Sequence, residues 1–113
     1  MQIRLADIAG VIRSKNAGPY ELTFDILFRT TAWFDTIMAA GVLDQSLVCR
    51  LYPIDPADLI KIVAFQPANA YKITIKRPVC SGDLEDTDIY GAQQHAPWLN
   101  AVLDIPEEYC ALL

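Results

Sequence analysis

Between residues 21 and 28 the chain alternates, with Leu22, Phe24, Ile26 and Phe28 on one side and Glu21, Thr23 and Asp25 on the other. A period of two marks a strand with one face on a core and the other toward water. Residues 71–76 repeat the pattern, setting Tyr71, Ile73 and Ile75 against Lys72, Thr74 and Lys76, and Pro78 ends the run. Residues 59–65, LIKIVAF, are apolar on nearly both faces, which predicts a central strand. The four residues 66–69 between these two runs fit a hairpin connection. Residues 5–12, LADIAGVI, predict a first strand weakened or bulged at Gly10, and residues 98–105, WLNAVLDI, predict a last one.

Between the strands the period changes. Thr30 or Thr31 can cap a helix whose apolar positions Trp33, Phe34, Ile37, Met38 and Ala40 are spaced by threes and fours, and Gly41 stands where a left-handed residue closes a helix. Asp44 can cap a second, shorter helix carrying Leu47, Val48 and Leu51, with Pro53 beyond its end. Asp55-Pro56 predicts a turn or a single helical turn. Strand, strand, two helices, strand, strand and a further strand make an α+β sandwich. The expected form is a mostly antiparallel sheet of four to five strands with two helices on one face.

Composition narrows the setting. At 113 residues the chain is one domain, and 53% hydrophobic against 20% charged residues is enough to build a core and excludes intrinsic disorder. Nine basic residues against 14 acidic ones give a net charge of −5, and the basic ones are scattered along the sequence, so nucleic acid is not an expected partner. The first residues lack a basic stretch followed by an apolar run, and no apolar stretch is long enough to cross a bilayer. The expectation is a cytoplasmic protein. Cys49, Cys80 and Cys110 are odd in number and far apart, which fits reduced, buried thiols rather than a disulfide framework or a zinc knuckle. Trp33, Trp98 and the tail Tyr109-Cys110-Ala111-Leu112-Leu113 exceed what so small a core must hold, so self-association is expected.

Two segments carry candidate chemistry. Arg13-Ser14-Lys15-Asn16-Ala17-Gly18-Pro19 reads as a turn that offers two cations, a hydroxyl and a carboxamide, the donors that suit a carboxylate or phosphate; its plain alternative is a solvated turn. It has neither Walker nor dinucleotide glycine spacing. The second segment, residues 81–97, holds the only histidine, His95, beside Tyr90, Gln93 and Gln94. Long irregular segments in small domains are usually binding loops or disordered, and the apolar residues interleaved here argue for an ordered loop. His95 is the candidate general acid or base, or a hydrogen-bonded structural residue. The acids Asp83, Glu85, Asp86 and Asp88 are spaced faintly like a calcium loop, without its glycine and terminal glutamate, so no metal is expected. No cofactor motif stands in the chain.

Taken together, RSKNAGPYELTFDILF at residues 13–28 and DIYGAQQHAPWL at residues 88–99 resemble a family of small bacterial domains of unassigned function. The opening Leu5-Ala6-Asp7-Ile8-Ala9 and the Arg13-Ser14 turn are similar, more distantly, to the ferredoxin-like C-terminal domain of the acyclic terpene utilisation protein AtuA. Here Lys15-Asn16-Ala17-Gly18 replaces the Gly-Asp-Lys-Gly of that domain's turn. The second resemblance implies a ferredoxin-like form for the sandwich and a free-standing counterpart of a domain fused elsewhere to a larger unit. The expected function is therefore an accessory small subunit of a larger metabolic enzyme, with Arg13, Ser14, Lys15, Asn16, Tyr90, Gln93 and Gln94 helping to bind an acidic or acyl-CoA-type metabolite. The alternatives are a self-contained lyase or isomerase using His95, and a non-catalytic homo-oligomeric binding module.

Overall fold

The computed structural model describes residues 1–77 and 95–113. In chain order the elements are β1 (Gln2–Arg4), the helical turn α1 (Leu5–Ile8), β2 (Ala9–Asn16), β3 (Glu21–Phe28), α2 (Thr31–Ala40), α3 (Gln45–Leu51), β4 (Leu59–Phe65), β5 (Ala70–Lys76), the helical turn α4 (Ala96–Leu99) and β6 (Val102–Asp104). Four strands form an antiparallel sheet in the order β2-β3-β5-β4, and β1 pairs with β6 in a separate ribbon. Helices and sheet make an α+β sandwich. The large sheet is wired strand–strand–helix–helix–strand–strand, whereas the ferredoxin-like order alternates β-α-β-β-α-β.

One side of the sheet is the core. Leu22, Phe24 and Ile26 of β3 and Ile73 and Ile75 of β5 are almost wholly buried. Phe34 from α2, Tyr52 from the end of α3 and Trp98 from α4 pack over them: Phe24 meets Tyr52 at 4.8 Å and Trp98 at 5.9 Å, and Phe34 meets Tyr71 at 5.7 Å between ring centres. The caps expected from sequence hold both longer helices. Thr30 Oγ1 accepts from the Trp33 amide at 3.2 Å, and Asp44 Oδ1 accepts from the Leu47 amide at 3.0 Å. Gly41 ends α2 at φ 65°, where its amide donates to the Ile37 carbonyl.

Five expectations are corrected. Residues 5–8 form a helical turn, because Leu5 and Ile8, three apart, then both reach the core, which a strand would not allow. β2 starts at Ala9 and slips register around Gly10. Residues 96–99 likewise form a turn of helix, with only Val102–Asp104 extended, and Trp98, expected in excess of the core, is fully buried within it. Among the described residues LIKIVAF lies at an edge of the sheet, with Ile60, Val63 and Phe65 exposed. Met38, placed by its spacing on the inner face of α2, is exposed, while Thr36 is buried.

Candidate functional site

The other face of the large sheet is free of the helices described above, and its side chains fall into rows set by the strand registers. Residues two apart on a strand share a face and stand about 6.8 Å apart along it. Reading across β2, β3, β5 and β4, the first row is Val11, Leu27, Ala70 and Phe65; the second is Arg13, Asp25, Lys72 and Val63; the third is Lys15, Thr23, Thr74 and Lys61. A fourth begins with Glu21 beside Lys76. The surface thus grades from aliphatic and aromatic carbon to hydroxyls flanked by ammonium groups. Arg13, Lys15, Lys61, Lys72 and Lys76 stand here, five of the chain's nine basic residues, with Asp25 and Glu21 the acids among them.

The centre of this face is locked. Arg13 Nε donates to Asp25 Oδ2 at 3.0 Å, and the Asp25 side chain is only 8% exposed although it stands on the polar side of β3. Lys72 is the register neighbour of Asp25 on its other side. In the third row the Thr23 and Thr74 hydroxyls are 3.3 Å apart, and both residues are buried between the lysine arms. Only one of the two protons is used in that contact, so the pair retains donor capacity. Two adjoining concavities open on the face. One, of about 390 Å³, lies over Arg13, Asp25, Leu27, Val63, Phe65 and Lys72. The other, of about 320 Å³, lies over Lys15, Glu21, Thr23, Lys61, Lys72 and Thr74.

The donors expected at residues 13–16 are the last four residues of β2, not a turn; the turn is residues 17–20, closed by the Ala17 amide on the Glu21 carbonyl. Alternation therefore divides them. Arg13 and Lys15 join the open face. Ser14 stands beside Phe24 on the core face and is buried; Asn16 stands beside Leu22, and its Oδ1 accepts from Arg77 Nη1 at 3.0 Å. Arg77, itself buried, also donates its amide to the Tyr20 carbonyl at 2.7 Å, so it ties the β2–β3 turn to the end of β5.

His95 opens α4 on the helical side, three residues before Trp98, whose amide donates to the His95 carbonyl. Its Nδ1 is buried and finds no partner among the described residues. Tyr90, Gln93 and Gln94, the acids 83–88 and Cys80 lie outside the described residues. Among the described residues no group of three or more His, Cys, Asp and Glu side chains could hold a metal ion, and no helix is long and apolar enough to cross a membrane. Burial drives the Tyr52 phenol far above its ordinary range and raises Tyr71 as well. Asp25, Lys61, Lys72, Thr23 and Thr74 were not singled out in the sequence. The signal for them was the alternation itself, which assigns Thr23, Asp25, Lys72 and Thr74 to the polar faces of their strands.

These features define a small α+β domain with an open, cation-rich sheet face. The chain belongs to the family described as Domain of unknown function (DUF4387), which it matches over residues 5–102, a span that includes all four strands of the large sheet. No curated protein and no solved structure matches it.

Proposed function

We propose that this chain is an accessory small subunit of a larger cytoplasmic metabolic enzyme, and that its open sheet face holds an acidic, acyl-CoA-type metabolite. The observation that carries this reading is the polarity gradient from the Val11–Leu27–Ala70–Phe65 row to the Lys15–Thr23–Thr74–Lys61 row. An acyl-CoA-type molecule has the same gradient, an aliphatic arm at one end and phosphates at the other. Ammonium groups give phosphate or carboxylate charge-assisted hydrogen bonds, and a local concentration of cations on an acidic protein draws anions to that surface. The side chains of the face are suited to binding, so the bond-changing groups would come from the larger subunit. The same division of labour follows if this chain is a free-standing counterpart of the domain that AtuA carries fused to a larger unit.

Titrating butanoyl-CoA into the chain by calorimetry tests the ligand half of this reading. Binding should weaken at least tenfold in the Lys15→Ala, Lys61→Ala double variant and fall as salt rises. Failure to bind, both alone and in the complex recovered from its source, would reject it. Affinity purification tests the other half: a larger enzyme subunit should be recovered in fixed ratio, and recovery of the chain alone would reject the accessory role.

A second reading, a self-contained lyase or isomerase, is favoured by one observation, the buried and unpartnered Nδ1 of His95 among the described residues. His95→Gln separates the two. A loss of turnover of roughly 10² or more with an unchanged melting point would establish acid–base chemistry at His95, and full turnover with a lowered melting point would leave it a structural role.

A further inference from the structure

The position of β4 conflicts with its composition. LIKIVAF is a strand apolar on both faces, the pattern of a buried strand, yet among the described residues it lies at the edge of the sheet with Ile60 46%, Val63 43% and Phe65 56% exposed. Unpaired edges of this kind template further strands, and proteins that remain unpaired guard them with charges, prolines or bulges. The opposite edge, β2, has such guards: a register slip at Gly10, then Arg13 and Lys15 on its open face. On β4 the slip is confined to the start, between Leu59 and Lys61, and the regular part, residues 61–65, carries the single charge of Lys61.

We propose that β4 pairs with β4 of a second copy of this chain, antiparallel and two-fold symmetric about Val63. The midpoint of the regular stretch is Val63, and a two-fold axis there sets Lys61 opposite Phe65, Ile62 opposite Ala64 and Val63 opposite itself. This register is self-complementary. The one cation never meets its own copy; it lies along the Phe65 ring of the second copy, where its aliphatic stem is covered and its ammonium can meet the ring face. A strand that pairs here must present apolar residues on both faces, and β4 is itself such a strand. The result is one continuous eight-stranded antiparallel sheet. Its two open faces merge, and the Lys15–Thr23–Thr74–Lys61 row of one copy runs on into the Phe65–Ala70–Leu27–Val11 row of the other, so each copy walls the concavity that its partner leaves open at the β4 side.

Sedimentation of the intact chain and cross-linking at the axis test the pairing. The wild-type chain should sediment as a dimer at micromolar concentration. Val63→Lys, which sets two ammonium groups opposite each other at an exposed position, should give a monomer with an unchanged melting profile after correction for dissociation. Val63→Cys should form a disulfide between copies under mild oxidation, because directly opposite residues have Cα atoms about 4.5–5.5 Å apart, whereas Val11→Cys on the far edge should not. A wild-type monomer, an open-ended assembly, a dimer that survives Val63→Lys, or preferential cross-linking through Val11→Cys would each overturn the proposal.

Discussion

Arg13 and Asp25 meet across the β2–β3 hairpin, Nε to Oδ2 at 3.0 Å, with 61% of the arginine side chain exposed and only 8% of the aspartate. The pair is therefore asymmetric. Removing the arginine strands a buried carboxylate; removing the carboxylate leaves a guanidinium that water can solvate.

Arg13→Ala should accordingly lower stability by about 1–3 kcal/mol. Asp25→Asn retains the shape and one acceptor and should cost about 1 kcal/mol or less. Chemical denaturation of both variants checks the order. Equal losses, or a larger loss for Asp25→Asn, would show that the buried carboxylate is held mainly by groups other than Arg13.

The helix caps give a second expectation. Thr30→Ala and Asp44→Ala each remove the side-chain acceptor of a helix amide, and each should cost about 1 kcal/mol. Gly41→Ala places a Cβ on a residue at φ 65° and should cost a similar amount, about 1 kcal/mol, although no neighbouring atom lies within contact of the added carbon. Thermal melts of the three variants would contradict this if Gly41→Ala were stabilising.

Alkaline stability follows from the buried phenols. Tyr52 and Tyr71 are raised by burial, so the unfolded chain ionises first, near the ordinary tyrosine value of about 10. Above that pH the unfolded state has lost protons that the folded state retains. The contribution is fully present below pH of about 10 and is lost as pH rises from there toward the folded-state values. The melting point should fall steeply above pH of about 10, and Tyr52→Phe should flatten the fall. An unchanged slope in Tyr52→Phe would mean that Tyr52 ionises in the folded chain without penalty.

Much of this architecture is written locally. β3 and β5 were legible because their alternation is clean, and α2 and α3 because Thr30, Gly41 and Asp44 serve as chemical stop and start signals. Residues 5–8 and 96–99 were not, since a four-residue helical turn spans too few positions for a period of 3.6 to differ visibly from a short apolar strand. Whether β4 is central or at an edge depends on which strands neighbour it, a long-range property absent from the seven residues themselves. The candidate site was half legible. Arg13 and Lys15 were recognised as cations, but taking residues 13–16 for a turn hid the alternation that sends Ser14 and Asn16 to the other face. Lys61, Lys72, Thr23 and Thr74 became a group only once register set them in rows with Lys15 and Asp25.

The lysines of the third row should act through charge at one end of the ligand. Lys15→Gln and Lys61→Gln should each weaken binding of butanoyl-CoA several-fold and reduce its salt dependence, while Phe65→Ser should weaken butanoyl-CoA more than free CoA. Calorimetry with both ligands at two salt concentrations checks the pattern. Equal effects of Phe65→Ser on the two ligands would remove the apolar row from the site.

Backbone amide NMR of the labelled chain titrated with butanoyl-CoA reports whether the sheet face opposite α2 and α3 is the binding surface. Saturable shifts are expected at Lys15, Thr23, Lys61, Lys72 and Thr74, extending to Leu27 and Phe65 when the acyl arm is present, with α2 and α3 unmoved. Shifts confined to the helical side around His95 and Trp98, or none at millimolar ligand, would contradict it.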